Sequence, residues 1–581
     1  DSKGALIPIY DPATTKPNPS GSGFVRTVMP GNLVPKDRQD ALSLRVQEFM
    51  PLPNTPPLDA FTNTNNFYSM AVQPSNQGVT NIRIDHRISD KDSTFFRYSG
   101  TRNTRWGQGY GLGPADPDIF ARIDQRDNHN FIATETHIFS PSIINEFKAN
   151  ATRQNLPFQS LGYGGDWPEK LGYPSIIPND MFPAVTIGGM LQIGPTSFSF
   201  GQRAQNQVQF ADTLTWIKGK HQIKIGVDQR YIRENWINKS NPSGQFSFAA
   251  AMTGNPQSQA GTGVGQATYL LGAVTGGSLT VRNHMSFHSW SHASYIQDDY
   301  KVTPRLTLNL GLRYDLRSGP VERWNRHSNF DAFSTNPETK MLGMLTYAGV
   351  DAPRNFVDRN NTDFGPRIGF AYALTGDGKT VIRGAYGIVH MLTESYDMQA
   401  DSSNSLGWEA TTTFASTQGS NYPAFQFSTG PSLLVQPKGA AGGPSAFRGL
   451  AVRWQSLEAP PPYLQQANLT LQREIMGQWV VSASYSGSRG VHIPGSNYNL
   501  NQLDPKYYLE YGLALQNQVA NPFYGQIASG GLAGATVSRA QLLLPYPDYG
   551  SVMTMANHGN SSSYHSGQFT LEKRYARVSA H

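Results

Sequence analysis

The stretch Leu306-Thr307-Leu308-Asn309-Leu310-Gly311-Leu312-Arg313-Tyr314-Asp315-Leu316-Arg317 decides the fold. Leu306, Leu308, Leu310, Leu312, Tyr314 and Leu316 hold alternate positions, and Thr307, Asn309, Gly311, Arg313, Asp315 and Arg317 hold the others. Successive strand side chains point to opposite faces, so as a strand this segment has one apolar and one polar side. A helix would mix the two sets.

The pattern recurs along the chain. Ile82, Ile84 and Ile88 alternate with Asn81, Arg83, Asp85 and Arg87, and Ile223, Ile225 and Val227 with Gln222, Lys224, Gly226 and Asp228. Ile368, Phe370, Tyr372 and Leu374 alternate with Arg367, Gly369, Ala371 and Ala373; Val481, Ala483 and Tyr485 with Ser482, Ser484 and Ser486. Leu469 and Leu471, and later Phe569 and Leu571, continue it. About thirteen such strands can be counted, well above the ~4–6 of a soluble sheet.

The strands come in pairs joined by short polar turns: Ser89-Asp90-Lys91-Asp92, Ser140-Pro141-Ser142, Lys218-Gly219-Lys220, Thr303-Pro304, Thr375-Gly376-Asp377-Gly378 and Met476-Gly477-Gln478. These are the residues that tight turns need. Between pairs lie long stretches rich in Gly, Pro, Ser, Asn and aromatics: 101–126, 155–203, 235–284, 318–362, 391–463 and 489–562. Structureless loops of that length argue against a compact soluble domain. Short turns at one end and long loops at the other mark an antiparallel transmembrane β-barrel, with its turns in the periplasm and its loops outside. The fold class is therefore all-β.

Composition agrees. The 57 glycines and 39 prolines are about 17% of the chain against an average near ~12%. Charged residues make up 15% without a long run of one sign, which speaks against wholesale disorder. The net charge is +6, but the cations are scattered and no aromatic-basic nucleic-acid motif accompanies them, so nucleic acid is not an expected partner. Cysteine is absent, which excludes disulfides, thiolate metal sites and cysteine nucleophiles. No run of ~18 apolar residues forms a transmembrane helix. The mean hydropathy of -0.44 is no obstacle, because a membrane barrel hides its apolar band in alternation. Aromatics reach 11%, and Phe95, Phe96, Tyr98, Phe139, Trp216, Tyr300, Tyr314 and Trp479 fall near strand ends, where barrels carry girdles.

Residues 1–78 read as a Pro-rich extracellular loop or linker, with one short helix expected over 40–49, and 79–581 as the barrel strands with their loops. The chain opens Asp1-Ser2-Lys3 without a signal peptide.

Several segments resemble large TonB-dependent outer-membrane receptors of the Oar-like group. They are Pro8-Ile9-Tyr10-Asp11-Pro12-Ala13-Thr14-Thr15, the hairpin Phe210 to His221, the run Tyr295-Ile296-Gln297-Asp298-Asp299-Tyr300 on to Tyr314, and Phe364 to Tyr372. The resemblance implies a 22-stranded barrel in the bacterial outer membrane, plugged by an N-terminal domain. It further implies import of a bound ligand with energy passed on by TonB. No plug or TonB box is visible before Asp1, and the segment Glu572 to His581 lacks the terminal aromatic expected of a last barrel strand. The expectation is an internal, partial barrel whose TonB contact would run through a plug outside it. Outer-membrane lipid and an extracellular glycan, peptide or chelate are the other expected partners.

Chemistry-bearing residues are few. Arg83, Asp85 and Arg87, like Arg313, Asp315 and Arg317, form short charge ladders. They either line the lumen to guide a ligand or pair across strands on a hydrated wall. His284, His288 and His292 would suit a metal on a helix, but on a strand they span ~13 Å, too far for one ion. The glycines around Tyr110 precede Pro114 and Pro117 rather than a helix, so they make no phosphate cradle. Neither Gly-x-Ser-x-Gly nor His-Glu-x-x-His occurs. No catalytic residue, metal or cofactor is expected. Loop aromatics are the ligand candidates: Trp106, Tyr110, Tyr163, Trp167, Trp324 and Trp408 serve either as binding faces or as packing within the loops.

Two other functions compete with a receptor-transporter: a surface binding or adhesion barrel without transport, and a secreted propeller-type hydrolase. The latter calls for a ~40–50-residue repeat that is absent. Membrane fractionation separates these classes. A barrel stays in the outer membrane and runs as a compact band until boiled, whereas free solubility without detergent excludes the barrel.

Overall fold

The computed structural model describes residues 1–581 apart from residue 71, 108–120, 196–199, 356–360, 392–405, 458–459, 529, 556, 575–578 and 581. Its frame is one antiparallel meander of thirteen long strands, consecutive strands being hydrogen-bonded to one another. In chain order they are β1 (Ser75–Arg87), β2 (Asp92–Gly107), β3 (Arg122–Ser140), β4 (Ile143–Ser160), β5 (Phe200–Lys218), β6 (His221–Lys239) and β7 (Met285–Thr303). There follow β8 (Leu306–Arg317), β9 (Asp363–Ala373), β10 (Thr380–His390), β11 (Tyr463–Ile475), β12 (Trp479–Ile493) and β13 (Asn560–Arg574), with Ser579–Ala580 pairing back onto β13. The decisive stretch is β8 itself, held between β7 and β9.

The register sorts the faces. Leu310 lies opposite Ile368 on β9, which lies opposite Tyr386 on β10, which lies opposite Ala467 on β11. At the other end of the sheet, Ile84 meets Phe96, and Phe96 meets Ala133. These side chains share one face and stand uncovered; Phe569 on β13 is 73% exposed. Apolar side chains left open along a whole sheet face are stable only against lipid, so this face is read as the outward one.

Short turns gather at one end of the wall and long connections at the other. Gly219 and Lys220 alone join β5 to β6, and Gly219 has a φ of 61°, a left-handed conformation open to glycine at no steric cost. Strand lengths are unequal. The 19 residues of β5 reach ~60 Å, about twice what a bilayer core needs, whereas the 11 residues of β9 barely span one. The long strands β3 to β7 therefore project beyond the bilayer and carry the loops on a raised wall. No helix among the described residues is long and apolar enough to cross a membrane.

The long connections differ from the sequence expectation in two respects. Strands β3 to β7 extend further than the alternation indicated, so His288 and His292 lie within β7 and β1 already starts at Ser75. The loops are also folded. Short strands, helices and packed apolar cores fill 161–195, 240–284, 318–355, 406–457, 494–528 and 530–555, because their Phe, Tyr and Leu residues bury one another. Such cores lack periodicity and could not be read from pattern.

A charge on the outward face should break the wall where the same charge on the inward face does not. Leu469→Arg, mid-strand and outward, is expected to cost ~2–4 kcal/mol and to weaken the compact unboiled band. Ser482→Arg, on the opposite face, should leave that band intact.

Candidate functional site

The long loops and the N-terminal segment join into a cap over the long-loop end of the wall. Asp40 starts its central piece by accepting the Ser43 amide at 3.0 Å, which caps the helix Ala41–Gln47. Its other oxygen accepts Ser428 Oγ at 2.5 Å, tying the helix to the loop after β10. Leu42 and Val46 of that helix enter a core with Trp167, Phe182, Phe246, Phe248 and Phe427, supplied by three different loops. Arg26 fastens the N-terminal segment: its guanidinium donates to the carbonyls of Met252 (2.6 Å), Gly254 (3.1 Å) and Asn421. Arg38 is paired with Asp11 at 2.6 Å, and this bond holds the Asp11 carboxyl below its usual range.

A second core joins Phe330, Leu345 and Tyr347 to Val452 and to Tyr546, Tyr549 and Val552. There Asn501 donates to the carbonyls of Tyr546 (2.9 Å) and Gly550 (2.7 Å), and Arg448 pairs with the buried Asp548 at 2.9 Å. His327 lies fully buried with its ring edge-on to Phe287, and burial pushes its pKa down to about 3, so it is neutral at physiological pH.

The ladder charges sit on the inward face, opposite the apolar one. Arg83 and Asp85 pair at 2.6 Å, Arg87 pairs with Asp90 at 2.8 Å, and Arg313 with Asp315 at 2.9 Å. Arg313 also reaches Asp228 on β6 at 3.8 Å, and Asp228 is held by Arg230 at 2.7 Å. Arg317 donates to the Met391 carbonyl. The pairing runs along and across strands, which leaves a hydrated wall with its charges locally neutralised.

The loop aromatics scatter. Trp167 is 1% exposed and its Nε1 donates to the Gly162 carbonyl, so it is a core side chain with no face for a ligand, and its expected binding role is corrected. Tyr163 stands exposed with its ring 4.7 Å from Phe200. Trp106 is half-buried at the end of β2, and Tyr110 lies outside the described residues. Trp408 is half-buried, its ring lying where a Cβ on Gly439 would fall. Trp324 remains 42% exposed, between Arg323 and Arg326 at 5.2 and 4.7 Å and the His284 ring at 5.7 Å.

His284, His288 and His292 do not converge on one point. Among the described residues, the group whose ligand atoms would fit one ion is Asp92, Glu135 and His137, within 4.8 Å of one another on the outward face near the turns. Nothing in the linear pattern marked it, because register alone brings the three together.

A meander with an apolar outer face, paired charges inside and loops gathered at one end defines the wall of an outer-membrane β-barrel. The chain belongs to the outer membrane beta barrel domain family, whose model matches residues 1–579, and its place is the bacterial outer membrane. No curated protein matches the sequence. Among solved structures it is similar to the outer membrane transporter YddB from Escherichia coli (TM-score 0.47, 9% identity, 86% of this chain and 46% of that one). It is also similar to the siderophore receptor PirA from Acinetobacter baumannii (0.40, 8%, 88% and 52%). A third is the FrpB iron transporter from Neisseria meningitidis (0.38, 9%, 91% and 55%). The chain spans about half the length of each of these proteins.

The two tryptophans at opposite extremes of exposure make a direct test of the cap. Trp167→Ala should destabilise it by ~3–5 kcal/mol, the range for deleting a buried aromatic. It should open the cap to protease, while Trp324→Ala leaves the digestion pattern unchanged.

Proposed function

We propose that this chain is the wall and loop cap of an outer-membrane receptor-transporter, which captures a ligand outside the cell and admits it along the inward face. The observation that carries this reading is the folded cap. Its loops bury whole clusters of aromatics above a wall that is apolar outside and charged inside. A barrel needing only to sit in the membrane has no use for so much ordered external structure. Residues 1–74 belong to the extracellular part in this reading, since Arg26 and Asp40 fasten them to the loops.

Energy from the TonB system, passed through a plug, is part of the same proposal. It rests on the resemblance of the hairpins around Asp212 and Asp298. Within the cap, Tyr163 and Trp408 are the proposed ligand-facing aromatics, and Arg83, Asp85, Arg87, Arg313 and Asp315 the proposed lining of the path. No catalytic step is proposed.

A surface-adhesion barrel built on the same cap is the second reading, favoured by the exposed tip of the last loop, where Tyr508, Leu509 and Leu513 face solvent. Cells carrying the full-length protein separate the two. Labelled glycans, peptides and metal chelates are offered with the inner-membrane proton gradient intact or dissipated. A receptor-transporter accumulates one class inside only while the gradient holds. Surface binding that persists unchanged without internal accumulation would instead establish the adhesion barrel.

A further inference from the structure

Where β6 and β7 rise past the apolar band, cations collect beside the outward face, and the one carboxylate level with them, Glu322, lies on the other side of the sheet with Phe287. The register sets Tyr231 opposite Trp290 and Arg233 opposite His288, so the four share a face. The rings of Tyr231 and Trp290 lie 4.6 Å apart, with Val227 and Ile225 below them on the same side, and form part of an aromatic girdle. Arg233 and His288 stand one step above that girdle. Val321–Glu322 then pairs with Phe287 and His288 of β7, which brings the following turn, with Arg323, Trp324 and Arg326, to the same height.

The single carboxylate is already committed. Glu322 is fully buried and accepts the amides of Ser286 (2.9 Å), Trp324 (2.6 Å) and Arg326 (2.8 Å). The guanidiniums are anchored by neutral groups: Arg326 donates to the His284 carbonyl at 2.7 Å, and Arg354 to Asn325 Oδ1 at 2.6 Å. None of Arg233, Arg323, Arg326 and Arg354 forms an ion pair among the described residues. The inward face is the contrast, since the arginines there that form the charge ladders are matched by aspartates. A cluster beside the outward face whose positive charge is unmatched among the described residues, with Arg326 and Arg354 held by neutral hydrogen bonds, is built for an anion.

We propose that this cluster binds the phosphorylated sugar headgroup of a glycolipid in the outer leaflet. Arg forks match phosphate oxygens, and the exposed Trp324 ring offers a flat face to the C–H side of a sugar. The height argues for a lipid, because cations directly above an aromatic girdle meet headgroups. So does the direction of Arg233 and His288, which face sideways into the membrane and away from the inward path. The far wall repeats the arrangement. There Arg489, without an ion pair among the described residues, and His565 line an outward cavity of 550 Å³ flanked by Tyr386 and Tyr485. Tyr485 Oη lies 2.6 Å from His565 Nδ1. The inference is independent of transport and needs only the outer-membrane placement.

The test uses the full-length protein purified from outer membranes in mild detergent, probed with a bis-phosphorylated glucosamine disaccharide lipid and with its dephosphorylated form. Wild type should retain the phosphorylated lipid, and R323Q/R326Q should lose about tenfold in retention while keeping the compact unboiled band. If the double variant does not give that band, R233Q, a change at an exposed strand residue, should show a loss in the same direction. Equal retention by a folded variant, or equal binding of the dephosphorylated lipid, would overturn the proposal. Displacement of the lipid by soluble glucosamine phosphate at matched concentration would also overturn it, and would assign the cluster to a soluble ligand.

Discussion

Every backbone N–H and C=O inside a bilayer needs a partner from the protein, because hydrocarbon supplies none. The rest of this structure follows from that constraint. A strand can meet it only through its neighbours, so thirteen long strands lie in one unbroken ladder, each paired along most of its length. Once the backbone is satisfied, side chains are sorted by face. Leucines, isoleucines and phenylalanines stand uncovered outward, where lipid takes the role that a second sheet plays in a soluble sandwich.

The same ladder explains where order ends up outside the membrane. Strands β3 to β7 continue well past the length a bilayer needs, and their upper halves become a scaffold for connections that would otherwise have nothing to pack on. The loops then build their own apolar cores. Helix Ala41–Gln47 shares one with aromatics from three loops, and buried polar anchors such as Arg26, Asp40 and Asn501 satisfy the carbonyls and amides that irregular backbone leaves open. The cap is thus held by ordinary core packing, while the wall beneath it is held by hydrogen-bonded register.

Charge follows the same division. Facing inward, Arg83, Arg230 and Arg313 are matched by Asp85, Asp228 and Asp315, which suits a hydrated surface past which a solute must move without sticking. Above the girdle, Arg233 on the outward face and the neighbouring Arg323, Arg326 and Arg354 form no ion pair among the described residues, and the carboxylate of Glu322 is turned onto backbone amides. One residue type therefore has two uses on the two faces of one sheet, separated by a single step along a strand.

Much of this was legible in the chain itself. Period-two alternation from Leu306 to Arg317 and its repeats required strands with one apolar and one polar face, and the polar turns at Gly219, Pro304 and Gly378 required hairpins at one end. Those features are local, so a linear reading reaches them. The loops were a different matter. Trp167 and Trp324 look alike in sequence, yet one closes a core and the other stands open between two arginines. Asp92, Glu135 and His137 likewise come together only through the pairing of β2 with β3. Alternation determines which face a strand residue takes. Contacts between loops far apart in sequence, which carry no period, are decided only when the wall has brought those loops together.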